Sequence, residues 1–368
     1  MPSLAFLLGL VVLAFEFQNL VSWWSGWVLR PIERPFHDFT IVVPLFGDPR
    51  YFEERRSLER YRERVLVAVE VTPPAMRLFA DRLESEGWGV SRVQMADPNP
   101  ARLLAAALED VTTTYVLRLD ADTSVGDDIP GAVAAVAADG ADLASIKVDV
   151  LEPRGMAARL QRLEYRIAML TRHYRPWLTS GACFIARTSS LRRIFSHHSK
   201  WTPGEDIETG RAAVALRMRV RHADISVQTQ VPERWRELFR QRRLWWAGSF
   251  RHGVVNLDRN VVQMPLMTTY WTLMIWLSVA LEPWHVLQLG ATVSMIPLLY
   301  VSYLIVTVVP NLRVLSPWML VFPLYAFVQS LVMPLVGAIH YWVLARRKGT
   351  LGRYRFPLMR PRVREASP

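Results

Sequence analysis

Residues Tyr115 to Gly126 read "YVLRLDADTSVG". The run from Tyr115 to Leu119 suits a buried strand, and it leads directly into two carboxylates, Asp120 and Asp122, separated by one alanine. In open α/β sheets, ligands bind at the carboxyl ends of strands. Magnesium typically takes one or two protein carboxylates and completes its shell with substrate phosphates and water. The pair is therefore a candidate clamp for a metal–diphosphate. A lone D-x-D is equally an Asp-rich turn in which Asp122 caps a helix.

The same alternation of elements extends upstream. Ile41 to Val43 and Val65 to Val69 are β-branched and apolar, the signature of buried strands. Between them "YFEERRSLERYRER" suits a solvent-exposed helix. Pro74 to Glu86 reads as a helix, "WGVSRVQ" as a strand, and Ala101 to Leu108 as a helix leading to the strand at Tyr115. Strands alternating with helices predict an α/β fold built on an open, mostly parallel sheet with flanking helices.

The composition points to a mixed protein. Of 368 residues 51% are hydrophobic, and mean hydropathy is slightly positive. That is high for a water-soluble enzyme and low for a chain that is all membrane. Formal charge is +11, and Lys147, Lys200 and Lys348 are the only lysines, so arginine carries nearly all of the positive charge. Much of it borders apolar runs. The bulk arginine content reads as the mark of a GC-rich coding sequence, and its placement also fits a surface facing anionic lipid, with no nucleic acid among the partners. Cys183 is the single cysteine, which fits a reducing compartment.

Leu4 to Leu29 is almost uncharged and exceeds the ~20 residues that cross a bilayer. It lacks a basic leader and a small-residue cleavage site, so it reads as an anchor, with Trp23, Trp24 and Trp27 at an interfacial belt. Met264–Leu281, Val286–Val309 and Trp318–Leu344 are further apolar runs. The tail after residue 345 is basic, which places it in the cytoplasm. The expected plan is an N-terminal transmembrane anchor (1–30), a catalytic domain (31–230), a basic amphipathic interfacial helix (231–258), transmembrane helices (259–345) and a basic tail (346–368). Three spans between a cytoplasmic domain and a cytoplasmic tail break parity. One of them lies in the interface or re-enters at Pro334, or the tail lies outside.

Two downstream segments complete the pattern. "WTPGEDIETG" places Glu205 and Asp206 after a Pro-Gly turn at the start of a helical stretch. Acidic residues there are ordinary capping, or a carboxylate held ready as a general base. "RWRELFRQRRLWWAGSFRHG" interleaves Trp235, Leu238, Phe239, Leu244, Trp245 and Phe250 with arginines, the pattern of a basic helix lying on lipid. The adjacent His197 and His198 read as loop or surface residues.

In order and spacing these features resemble the membrane-integrated family 2 glycosyltransferases, which include the synthases of cellulose, hyaluronan and capsular polysaccharides, with ceramide glucosyltransferases similar. The resemblance runs from "TIVVPLFG", through "PNPARLLAAALEDVTTTYVLRLDADT" and "LTSGACFIARTSSL", to Glu205–Asp206 and a Q-x-x-R-W-like motif at Gln241–Trp245. Leu244 stands where that family has arginine, with Arg243 one residue earlier, and the lysine usual before the D-x-D is absent.

The resemblance implies a GT-A-like fold with transmembrane and interfacial helices. It also implies inverting, metal-dependent transfer from a nucleotide sugar, expected to be a UDP-sugar. The acceptor would be a glycan or lipid at the cytoplasmic face of the plasma membrane, in a multi-pass protein. Asp122 would ligate Mg²⁺ or Mn²⁺, with Asp120 on the metal or ribose. Asp206 would be the base, with Glu205 beside it. Arg102, Arg242 and Arg243 would reach the diphosphate. Glu70 and Asp97 are candidates for contacting the base of the nucleotide. Gly181, Cys183, Gln241 and Trp245 would form the acceptor side, and Cys183 would not be a nucleophile. The Gln–Trp motif favours polysaccharide synthesis, which calls for a second copy or a secretion partner. The altered motif and few spans favour a single transfer to a glycolipid. The non-enzymatic alternative is a degenerate membrane scaffold that binds a nucleotide sugar.

Overall fold

The computed structural model of the chain describes residues 28–255, apart from 54, 127 and 174, together with 315–348 and scattered positions between 297 and 312. The strands called for by the β-branched runs are present: β2 (Phe39–Leu45), β3 (Val65–Glu70), β4 (Gly89–Val93) and β5 (Tyr115–Leu119). All four are parallel, in the order β5-β2-β3-β4. Both faces of β2, β3 and β5 are covered, which is why these strands read as continuous apolar runs and not as alternating ones.

The far half of the sheet is mixed. Two-residue β1 (Val28–Leu29), short β6 (Thr123–Val125), β7 (Leu143–Val150), β8 (Cys183–Arg187) and β9 (Val220–Thr229) complete the order β1-β9-β7-β8-β5-β2-β3-β4, with β6 pairing β9. β8 is antiparallel to both of its neighbours, β5 and β7.

Helices cover both faces. On one side lie α1 (Pro74–Ser85) and α3 (Ile129–Asp139), packed through Met76, Phe79, Leu83, Ile129, Val133 and Val136. On the other lie α2 (Pro100–Ala107), α5 (Thr188–Phe195) and α6 (Glu205–Ala215). α2 begins where Asn99 accepts a hydrogen bond from the Arg102 N–H at 3.0 Å, an ordinary N-cap. The stretch read as a single exposed helix is instead a short turn at Arg50–Glu53 followed by a 3-10 helix at Arg55–Arg64.

A second body of helices abuts this sandwich. α4 (Gly155–Thr171) and α7 (Trp235–Val255) pack against α8 (Trp318–Phe327) and α9 (Met333–Lys348), which are joined by a π turn at Val328–Val332. Trp318–Arg347 spans 30 residues, and its most apolar 18-residue window has mean hydropathy 1.9. It is long and apolar enough to cross a membrane, and 47% of that window is buried against the chain. The two helices α7 and α9 touch closely at Gly337, where an added Cβ would lie 2.4 Å from the Trp246 Cβ.

Two expectations change here. The last two residues of the expected anchor, Val28 and Leu29, pair with His222 and Ala223 of β9, because their extended backbone satisfies the sheet edge. The rest of the anchor, the runs at 264–281 and most of 286–309, and the basic tail beyond residue 348 lie outside the described residues. Two arginines of α7 also turn inward, while Arg234, Arg236, Arg240 and Arg243 stay exposed. Arg242 and Arg251 are buried, and Trp235, Phe239, Leu244 and Trp245 are exposed. Each buried arginine has found a carboxylate: Glu164 for Arg242, and Glu208 for Arg251.

Candidate active site

The carboxyl end of β5 delivers the first two carboxylates. The Asp120 N–H donates to the Ala182 carbonyl at 2.9 Å, and the Thr123 N–H returns to the Asp120 carbonyl at 3.1 Å, closing a tight turn. The turn leads into β6, whose pairing with the end of β9 anchors Asp122. The hydroxyls of Thr123 and Thr229 each lie 3.4 Å from Asp122 Oδ1. Alternation along β5 sends Val116 and Arg118 to the face covered by α2 and α6, and Leu117 and Leu119 to the opposite core. Arg118 therefore lies under the site and pairs with Asp120 at 2.7 Å.

The second pair arrives on α6. Asp206 is held from three directions. Gly181 N–H donates to Oδ2 at 2.8 Å, Ile207 N–H donates to Oδ1 at 2.8 Å, and the Thr179 hydroxyl donates to the Asp206 carbonyl. Its neighbours are clamped too. His198 Nε2–H and the Thr209 hydroxyl both donate to the Glu205 carbonyl at 2.9 Å, and His252 Nε2–H donates to the Gly204 carbonyl at 2.7 Å. His198 is thus a loop residue, one of the two expected placements, but a buried one. Gly181 sits where the groups meet: an added Cβ would lie 3.1 Å from Arg118 Nη1, 3.5 Å from Asp120 Oδ2 and 3.6 Å from Asp206 Oδ2.

Negative charge exceeds positive charge here. Burial pushes the Asp120 carboxyl up to about 7; Arg118 opposes this, and Asp122, Glu205 and Asp206 add to it. Burial also raises Asp122, against the threonine hydrogen bonds. Glu205 is pushed up to about 7 by burial and then by Asp206. Such crowding of carboxylates around one arginine fits a divalent cation. Among the described residues no group of three or more His, Cys, Asp or Glu side chains forms a cage of its own. A cation on Asp120 and Asp122 would take its remaining ligands from phosphate and water.

The other expected residues are placed as follows. Glu70 is buried at the end of β3, its carboxylate accepting from the Thr72 N–H at 2.8 Å. Asp97 and Arg102 pair with each other at 3.0 Å near the start of α2. Cys183 does not line an acceptor surface. It faces Leu119 across β5 and β8 inside the core, and burial raises its thiol pKa, so it is no nucleophile. Arg242 is committed to Glu164 at 2.7 Å and is not a free phosphate ligand. Burial works against its charge, but Glu164, Tyr325 and Tyr165 together outweigh burial and raise its pKa. Arg243 is exposed, and the Gln241 Oε1 is buried with no hydrogen-bond partner. Trp245 lies against the Tyr165 ring, centroids 6.4 Å apart, with the Arg242 guanidinium 4.2 Å from its own centroid.

Sequence reasoning missed Arg118, Tyr165 and Arg172. Tyr165 is near enough to Asp122 for that charge to help raise its pKa, after burial. Burial pulls Arg172 down to about 10, with the charge of Asp206 opposing. Arg118 did leave a signal, an arginine inside an otherwise apolar buried strand, just ahead of two carboxylates. Tyr165 sits on α4 and Arg172 caps its C-terminus, and the sequence of that helix carries no motif.

A family model described as "Glycosyl transferase family group 2" matches residues 115–338, more than half of the chain. A search of curated proteins returns no match. Among solved structures, a mannosyltransferase from Pyrobaculum calidifontis, in complex with GDP-Man and Mn²⁺, is similar with a TM-score of 0.58 at 13% identity, covering 92% of this chain and 99% of its own. Glucosyl-3-phosphoglycerate synthase from Mycobacterium tuberculosis gives 0.38 at 16% identity, over 60% of this chain and 85% of its own. Residues 1–349 of S. aureus TarS give 0.40 at 14%, over 85% and 92%. The first likeness concerns the fold alone; the other two are too distant to carry an argument.

Proposed function

The chain belongs to glycosyl transferase family group 2 and is a glycosyltransferase, and from that premise we propose that it transfers a sugar, with inversion, from a nucleotide sugar to a hydroxyl of a glycan or lipid acceptor at the cytoplasmic face of a membrane. The observation that carries this reading is the meeting of Asp120 and Asp206 at Gly181, with an oxygen of each within 3.5 and 3.6 Å of the point where a Cβ on that residue would stand.

Asp206 takes the proton from the acceptor hydroxyl. As that oxygen bonds to the anomeric carbon, the bond from that carbon to the diphosphate oxygen breaks, and the nucleoside diphosphate leaves with the electron pair. One in-line displacement inverts the centre and needs no covalent intermediate. Asp120 and Asp122 would hold a Mg²⁺ or Mn²⁺ ion, which supplies charge neutralisation for the leaving diphosphate. The mannosyltransferase of similar fold was solved with Mn²⁺, which supports this assignment. Arg118 orients Asp120 through their ion pair. Trp245 offers an exposed ring on the acceptor side, where an apolar body faces a sugar. The helix Trp318–Arg347 supports membrane attachment.

The test is nucleotide release from detergent-purified protein across UDP-, GDP- and TDP-sugars, with Mg²⁺, Mn²⁺ or EDTA. A UDP-sugar turned over only with metal, giving an inverted product, is the expected result. Turnover that persists in EDTA, or retention of anomeric configuration, would overturn the mechanism.

A further inference from the structure

Three helices from distant parts of the chain meet at one half-buried carboxylate, Glu164. Glu164 on α4 accepts from Arg242 Nη2 of α7 at 2.7 Å, and the same Oε2 accepts from the Tyr325 hydroxyl of α8. Arg242 is only 3% exposed, so its charge depends on this partner. Its guanidinium carbon sits 4.2 Å from the centroid of Trp245, one helical turn further along α7 and well inside the ~6 Å reach of a cation–π contact. Tyr165, next to Glu164, flanks the same tryptophan. Trp245 itself is 42% exposed and keeps ring surface open.

We propose that Glu164 and Tyr325 are positioning residues: they fix the Arg242 guanidinium as a shelf against Trp245, so that docking of the apolar helix α8 sets the acceptor face of the site. The functional consequence rests on the acceptor role proposed for Trp245; the geometric claim does not. Tyr325 lies on the segment apolar enough to cross a membrane, so the relay links membrane seating to the orientation of one ring. Arg242, expected to bind phosphate, is thereby given a different task. A buried arginine with a single carboxylate partner has one low-energy place to be, and a ring stacked on it inherits that order.

The experiment uses the full chain in lipid nanodiscs, labelled with 5-fluorotryptophan. Loss of one ¹⁹F line in Trp245→Phe, Trp201→Phe and Trp88→Phe assigns the three resonances. Glu164→Gln and Tyr325→Phe change few atoms and serve as independent perturbations of the relay. The expected result is that both shift and broaden the Trp245 line while the Trp201 and Trp88 lines hold. In the same samples, incorporation of labelled sugar from UDP-glucose or GDP-mannose falls about three- to tenfold, the cost of a misplaced contact. A Trp245 line unchanged in both variants would overturn the proposal. So would movement of all three lines together, which marks a general structural role. Failure of the wild type to transfer any sugar would count against the proposed function and leave the fluorine result readable by itself.

Discussion

The backbone N–H of Gly181 donates to Oδ2 of Asp206 at 2.8 Å, joining the loop before β8 to the first turn of α6. The contact is close because residue 181 has no side chain. A methyl there would lie 3.1 Å from Arg118 Nη1, tighter than ordinary packing allows. Gly181→Ala should therefore push Arg118 and Asp206 apart and lower turnover by about tenfold or more, since small misplacements in a catalytic constellation are expensive. Steady-state kinetics alongside a melting curve checks this, because the effect belongs to turnover and not to folding.

Asp122 is anchored by Thr229 at the end of β9 and faces the same cleft as Asp120. Asp122→Asn should abolish metal-dependent nucleotide binding while sparing the fold. Calorimetric titration with UDP or GDP, with and without Mn²⁺, reads this directly. Equal affinity in the variant and the wild type would remove Asp122 from the metal site.

Glu208 and Arg251 form an ion pair at 3.0 Å, their side chains 4% and 5% exposed, behind the Glu205–Asp206 turn. Glu208 also accepts from the N–H and hydroxyl of Ser199, both at 2.6 Å. Removing one partner of a buried pair typically costs about 3–5 kcal/mol, because the other charge is stranded. Glu208→Gln should lower the melting temperature strongly. Replacing Glu208 and Arg251 together with apolar residues should cost less than the sum of the two single changes.

Acidification should act on the fold in two opposed ways. Burial pushes His252 down to about 3 and His222 down to about 2, so the unfolded chain takes up protons near pH 6.5 that the folded chain refuses. Glu208 is held at about 2 against burial by His198 and Arg251, so its contribution is present above the ordinary glutamate range and is lost as pH falls toward 2. These three act in one direction; Asp120 and Glu205, pushed up to about 7 by burial, act in the other as pH falls from 7 toward the ordinary carboxylate range. Each histidine contributes a slope of about 1.4 kcal/mol per pH unit between its folded and unfolded values. Chemical denaturation from about pH 6.5 to 5 should show His222→Gln losing about 1.4 kcal/mol per pH unit less than the wild type, the contribution of that one buried imidazole.

The sequence made half of this structure legible. β2, β3, β4 and β5 are buried parallel strands, and their apolar runs are continuous enough to be read locally. The D-x-D after β5 and the Glu-Asp pair after Pro203 could be found because a strand end and a helix start have local signatures. β8 could not be ordered in this way: its antiparallel place between β5 and β7 is set by long-range pairing of Leu117 with Ile185 and Ala144 with Ile185. Arg242 and Arg243 look alike in a helical pattern. Which of them is buried depends on Glu164, 78 residues away, and that partner is invisible to periodicity. The burial of His198 is hidden for the same reason, since its hydrogen bond to Glu205 exists only once the turn before α6 has folded. Alternation in β8 turns Cys183 into the core, a register that the motif around it does not reveal.

The most direct test of the central claim is the Asp206→Asn variant, with sugar transfer and nucleotide binding measured on the same preparation. The amide keeps an oxygen for the Gly181 N–H but cannot accept the acceptor's proton, and a general base is worth roughly 10²–10⁴ in rate. The account predicts transfer reduced by about that factor, with metal-dependent nucleotide affinity within about threefold of wild type. Transfer at the wild-type rate in Asp206→Asn would contradict it.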